Sequence, residues 1–138
     1  MACQSAEIFK TFLESKDLEA TMVDDEHNVL RIGVGLNNTQ LAIYFQFGDD
    51  DADVHLEGRQ FAQIPKDQIE KIYKICNSIN DAFRFTKFVW DEDADDLCCR
   101  IDGVIQLDSC AEEVFELMAR MASIVDEAYP RIMKALWA

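Results

Sequence analysis

The chain has 138 residues, which suits a single domain over residues 1–138 with a core of its own. It is 49% hydrophobic, and 27 Asp and Glu against 13 Lys and Arg give a net charge of −14. Such a surface repels nucleic acid and anionic membranes, and no apolar run approaches the roughly 20 residues of a membrane span.

The first element read from the pattern is a helix from about Ser5 to Leu18, with Ile8, Phe9, Phe12 and Leu13 on one face. A short strand, Ala20 to Val23, precedes the acidic run Asp24-Asp25-Glu26. The period then changes from 3.6 to 2. Leu30, Ile32, Val34 and Leu36 alternate with Arg31, Gly33 and Gly35, and after Asn37-Asn38 the residues Leu41, Ile43, Phe45 and Phe47 alternate with Ala42, Tyr44 and Gln46. Two alternating runs around an Asn-Asn pair predict an antiparallel hairpin. Gly33 and Gly35 share one face, where the missing side chains would admit a helix or a neighbouring backbone. Val54 to Gln63 reads as a further strand with a bulge at Gly58.

Pro65 marks the start of a second helix carrying Ile69, Ile72, Tyr73, Cys76, Ile79 and Phe83 as its stripe. Arg84 to Trp90 and Leu97 to Leu107 are strands joined by the acidic turn Asp91 to Asp96. Ser109 to Trp137 is a long amphipathic helix. Ser109 and Glu112 have capping-box spacing, and Pro130 is expected to kink the helix near Ala128 or Tyr129. The fold class that follows is α+β: a twisted antiparallel sheet with helices in the order α-β-β-β(-β)-α-β-β-α. Its expected core includes Ile32, Val34, Ile43, Phe45, Leu97, Ile101, Leu117 and Met121.

Three strings carry a family resemblance: Asp53-Val-His-Leu-Glu57, Phe85-Thr-Lys-Phe-Val-Trp90 and Val125-Asp-Glu-Ala-Tyr-Pro130. With the order of elements they resemble the bacterial YbjN-like family from about Leu30 to Trp137. The resemblance implies a fold similar to type III secretion chaperones, which are small, acidic, cytosolic homodimers that bind extended segments of other proteins. It also implies a non-enzymatic protein-binding, chaperone-like or regulatory role, in line with the sensory and stress regulators described in the family. It supplies no catalytic residue to carry over.

The residues themselves point to no catalytic, cofactor or metal site. Asp91, Asp93, Asp95 and Asp102 occupy positions 1, 3, 5 and 12 of an EF-hand loop, but position 6 is Asp96 where Gly is needed, and the flanks are strands. The Asp49 to Gln60 window fails in the same way, so both acidic turns are expected to be solvated tips. Cys3, Cys76, Cys98, Cys99 and Cys110 are odd in number and lack Cys-x-x-Cys spacing. Met1 to Lys10 lacks a basic segment followed by an apolar core, so free thiols in a reducing cytoplasm are expected. His55 sits on the polar side of its strand. The competing reading is a small-molecule-sensing or hydrolytic domain with His55, Asp or Cys groups converging in a cleft between sheet and helix. For association, apolar residues on both sides of the Arg84 to Trp90 strand predict a second burial partner. The expectation is a homodimer or a protein partner contacting Ile75, Phe88, Trp90, Leu136 and Trp137.

Overall fold

Alternation along each strand decides which side of the sheet is covered. In the computed structural model, which describes residues 2–138, the elements run α1 (Gln4–Ser15), β1 (Thr21–Asp24), β2 (Val29–Gly35), β3 (Gln40–Phe47), β4 (Asp53–Arg59), a 3-10 turn (Lys66–Gln68), α2 (Ile69–Ala82), β5 (Lys87–Asp91), β6 (Asp96–Val104) and α3 (Cys110–Trp137). The six strands form one sheet in the order β1-β2-β3-β4-β6-β5, every neighbouring pair antiparallel. The expected α+β order is therefore present, with the optional fourth strand before α2. The return through α2 carries β5 to the far edge, and β6 folds back between β5 and β4.

One face of the sheet is apolar across five strands: Leu30 and Ile32 on β2, Leu41, Ile43, Phe45 and Phe47 on β3, Val54 and Leu56 on β4, Leu97, Cys99 and Ile101 on β6, Phe88 and Trp90 on β5. All are buried. The three helices cover this face. Phe9 of α1 lies with its ring 4.9 Å from Phe45 and 5.9 Å from Phe47, and Phe12 meets Phe115 of α3 at 5.5 Å. Val114, Met118, Met121, Val125, Ala128, Ile132 and Leu136 form the buried stripe of α3 at helical spacing.

Several expectations change on contact with this packing. Gly58 is no bulge, because its pairing with Ile43 on one side and Cys99 on the other is in continuous register. A Cβ there would lie 2.5 Å from Cys99 Sγ, 3.0 Å from Leu41 Cδ1 and 3.1 Å from Met121 Sδ, so only glycine lets α3 and β6 close over this point. Gly33 and Gly35 face open space, with nothing within 4 Å of an added Cβ. β1 pairs with β2 only at Val29 to Arg31, which leaves the far half of β2 as a sheet edge and Val34 half-buried. Leu117 is also half-buried: it lies against Gly103, and Val114, Met118 and Met121 occupy the centre of the stripe instead. The Ser109 hydroxyl makes no cap bond, and Glu113, not Glu112, reaches back to accept from the Gln106 amide at 2.8 Å. Pro130 lies inside α3 on its exposed side without ending the helix.

The acidic turns are not mere tips. Asp51 accepts hydrogen bonds from the Ser5 amide (2.8 Å) and hydroxyl (2.7 Å), placing a carboxylate at the positive end of α1. Buried Asn28, in the left-handed region at φ 59°, accepts from the Cys3 amide and donates to Phe47 O and Asp49 Oδ1. One side chain thus joins the start of α1, the end of β3 and the acidic turn.

Candidate binding site

Two surfaces concentrate unusual chemistry. The first is the open face of the sheet, where the polar half of each alternation falls. Glu57 sits at its centre, accepting from Arg59 Nε at 2.7 Å, from Arg100 Nε at 2.8 Å and contacting His55 Nε2 at 3.2 Å. Asp91 binds Arg59 Nη2 at 2.6 Å and lies 3.5 Å from Arg100 Nη2, and Asp96 lies 3.6 Å from Arg59 Nη1. Burial opposes the charge on Glu57, but the donors His55, Arg59 and Arg100 outweigh it and hold its carboxyl below the ordinary glutamate range. Arg59, with the Asp93 and Ala94 amides behind it, likewise holds Asp91 low. Each guanidinium is matched by carboxylates and each central carboxylate by guanidinium or imidazole. The network closes on itself and reads as a brace across β4, β6 and β5.

His55 belongs to that brace. Its Nδ1 lies 2.7 Å from Asp102 and its Nε2 3.2 Å from Glu57, so both ring nitrogens are engaged by carboxylates. Cys98 faces the same side but is fully buried, and burial pushes its thiol up. Burial raises the thiols of Cys110, Cys99 and Cys76 as well, Cys76 to about 11, which holds them in the protonated, weakly nucleophilic form. The cleft chemistry considered from the sequence is not assembled here. Asp91, the first position of the EF-hand spacing, is already committed to two arginines. Among the described residues no cluster of three or more His, Cys, Asp or Glu is arranged to hold a metal ion.

The second surface is the groove between α2 and α3. The two helices run antiparallel past each other: Lys71 Nζ donates to Leu136 O at 3.2 Å near one end, and Arg131 stacks on the Phe83 ring at 5.5 Å towards the other. The groove encloses about 790 Å³ and is lined by Lys71, Lys74, Ile75, Ser78, Ile79, Arg131, Lys134, Ala135 and Ala138. Its α2 wall comes from steps of three and four from Lys71 to Ile79, its α3 wall from the same steps between Arg131 and Ala138. The floor is Ile75, Ile79 and Ala135. The rim holds four cations, and among the described residues none of the four lies within 4 Å of a carboxylate. In a chain with 27 carboxylates and 13 cations, four cations without a carboxylate partner surround one apolar trough; Lys71 and Arg131 also serve the fold through Leu136 O and the Phe83 ring, and Lys74 and Lys134 do not.

The comparisons with known proteins fit this architecture. The model of the YbjN family, described as "Putative bacterial sensory transduction regulator", matches residues 5–134. The chain belongs to the YbjN family. A solved structure of an E. coli member, YbjN, called a "putative transcription regulator", superposes with a TM-score of 0.65 at 11% identity, covering 91% of this chain and 91% of that one. At that identity the likeness shows the fold. No curated protein matches by sequence. In this YbjN-family chain no helix is long and apolar enough to cross a membrane among the described residues.

The residues proposed from sequence for contact with a partner are separated by the fold. Phe88 (2% exposed), Trp90 (8%) and Leu136 (1%) are core. Of the apolar residues that suggested a second burial partner, Phe88 and Trp90 point to the face that α2 and Phe61 cover, Phe61 and Phe88 meeting edge-on at 5.9 Å, whereas Val89 is half-buried and Phe85, 58% exposed, lies against the Arg120 guanidinium. Ile75 is 8% exposed and forms part of the groove floor, and Trp137, at 64%, stands in solvent and is not part of the groove lining. Sequence reasoning missed the cations. The available signal was Lys71 and Lys74 before Ile75, and Arg131 and Lys134 before Ala135, each pair about one turn apart on a helix.

Proposed function

We propose that this chain is a non-enzymatic regulatory module that works by binding a segment of another protein in the α2–α3 groove. The observation that carries this is the groove itself: an apolar floor rimmed by four cations that have no carboxylate partner among the described residues, on a chain whose sheet-face charges are neutralised internally. The family description as a sensory transduction regulator supports a role in regulation. A net charge of −14 makes DNA a poor target, since the groove's four cations are embedded in an acidic molecule and duplex binding depends on broad phosphate neutralisation.

A homodimer was the sequence expectation. A two-fold contact centred on the groove would set Lys71, Lys74, Arg131 and Lys134 against their own copies, so a different protein is the better occupant. The test is a selection of displayed random peptides on the wild-type chain, counter-selected on Ala135→Trp, which fills the groove from an exposed position. Peptides captured by the wild type and released by the filled groove are expected. If every captured peptide binds both proteins equally, the groove is not the binding surface and the reading falls.

A further inference from the structure

The chemistry of the groove narrows the partner. We infer that its occupant is an acidic amphipathic helix of a partner protein, laid between α2 and α3 with its apolar stripe on Ile75, Ile79 and Ala135 and its carboxylates on the two cationic rims. This rests on the proposal that the groove binds protein, and it goes further in stating charge, conformation and length.

Charge comes from the rim. Lys71 and Lys74 stand on one wall and Arg131 and Lys134 on the other, so complementary carboxylates must flank an apolar stripe on both sides. A single-headed acyl chain would engage one end of the trough and leave the opposite rim unmatched. Lys71 already serves the C-terminal carbonyl of Leu136 and offsets the negative end of α3, whereas Lys74 and Lys134 make no hydrogen bond or ion pair among the described residues. They are the cations most available to a ligand. One turn before Arg131 on the same helical stripe stands Glu127, which sets a negative boundary to the basic rim.

Conformation comes from the walls. Both are helices whose backbone groups are paired within the helix except in their end turns, so along most of its length the groove offers an extended segment no main-chain partners. A helix brings its own hydrogen bonds and presents only side chains, the mode by which amphipathic helices fill apolar grooves. Length comes from the span: eight residue steps from Lys71 to Ile79 cover about 12 Å, which matches two to three turns of a bound helix. The small residues Ser78, Ala135 and Ala138 in the lining allow its backbone to approach closely.

The experiment uses two synthetic helical peptides of about 14 residues with the same Leu and Ala stripe, one flanked by Glu and one by Lys, and measures fluorescence anisotropy against three proteins: wild type, Lys74→Glu/Lys134→Glu and Ala135→Trp. All substituted positions are exposed, and circular dichroism confirms that each variant is folded. The wild type is expected to bind the Glu peptide at least about tenfold more tightly than the Lys peptide, with affinity falling as salt rises. The charge-reversed variant is expected to exchange that preference, and the filled groove to lose both. Equal binding of the two peptides, or Glu-peptide binding unchanged in the reversed variant, overturns the inference. So does a fatty-acid probe that displaces the Glu peptide and binds more tightly, or a dimer in light scattering that the groove substitutions dissolve. If the peptide selection instead yields groove-dependent sequences that are basic, uncharged or rich in proline, this inference fails while the protein-binding reading stands.

Discussion

Replacing Gly58 with Ala tests the packing at the point where sheet and α3 meet most closely. On an ordinary strand the change would stabilise, because alanine restricts the unfolded chain, by about 0.4–1 kcal/mol. Here the new methyl group would sit 2.5 Å from Cys99 Sγ, well inside contact distance, with Leu41 and Met121 at 3.0 and 3.1 Å. Cys99 is fully buried opposite Gly58 in the ladder, and neither Leu41 (2% exposed) nor Met121 (0%) has solvent to retreat into. Overpacking of this kind costs about 1–3 kcal/mol, and three simultaneous contacts place the change near the upper end. With an unfolding entropy of about 2.1 cal/mol/K per residue over 138 residues, each kcal/mol lowers the melting temperature by about 3 °C, so a fall of roughly 6–10 °C is expected. Thermal unfolding followed by circular dichroism measures it. Gly58→Ala combined with Cys99→Ala should cost less than the two single changes added together, by about 1 kcal/mol or more, because the methyl then enters space the thiol has left. A single variant that melts at or above the wild type, or strictly additive changes, would refute the account of this contact.

Asp51→Ala removes the one oxygen, Oδ1, that accepts from both the amide and the hydroxyl of Ser5, buried at the start of α1, and is expected to destabilise by about 1–3 kcal/mol in urea unfolding. No change in midpoint would return that turn to a solvated tip. Glu57→Gln should weaken the sheet-face brace by about 1–2 kcal/mol at neutral pH. Because the folded carboxyl titrates below its unfolded value, its contribution is complete above about pH 4.5 and disappears as pH falls through the lowered folded value. The gap between wild type and variant should therefore be full at pH 7 and shrink in acid, and a gap that widens in acid would contradict the assigned direction. Brief alkylation of the native protein, read by mass spectrometry, should modify the half-buried Cys3 and spare Cys76, Cys98, Cys99 and Cys110 until denaturant is added. Rapid modification of a second thiol would show that the sheet or α2 opens locally.

Most of the fold was legible because it rests on periodicity. The switch from steps of three and four to steps of two at Leu30, and back again after Pro65, separates helices from strands without any tertiary information. What periodicity could not supply was the neighbour of each residue. Gly58 looks like a bulge in one dimension, since an isolated glycine in a strand signals either a bulge or a close approach. Only the arrival of Cys99 from β6 and Met121 from α3 selects the second. Phe88 and Trp90 looked surplus because β5 was counted alone. Set at the sheet edge beneath α2, they find cover within the same chain. Asp51 likewise gains its role from Ser5, 46 positions earlier.

The same limit explains why the basic groove escaped a reading that began from net charge. At −14 the composition describes an acidic molecule, and the pattern of carboxylate runs at Asp24 to Glu26, Asp49 to Asp51 and Asp91 to Asp96 reinforces that description. Folding sets two groups of cations apart from the rest. Arg59 and Arg100 on the sheet face are held by Glu57 and Asp91, and their charge is spent within the chain. Lys74, Arg131 and Lys134 come from segments more than 50 residues apart and meet across α2 and α3 with no carboxylate of their own. An average charge reports on solubility and on which large polyanions are repelled, whereas recognition depends on the local excess left after internal pairing. On this molecule that excess is positive and sits over an apolar floor, and this favours an acidic helix as the occupant of a protein whose net charge alone would suggest a basic one.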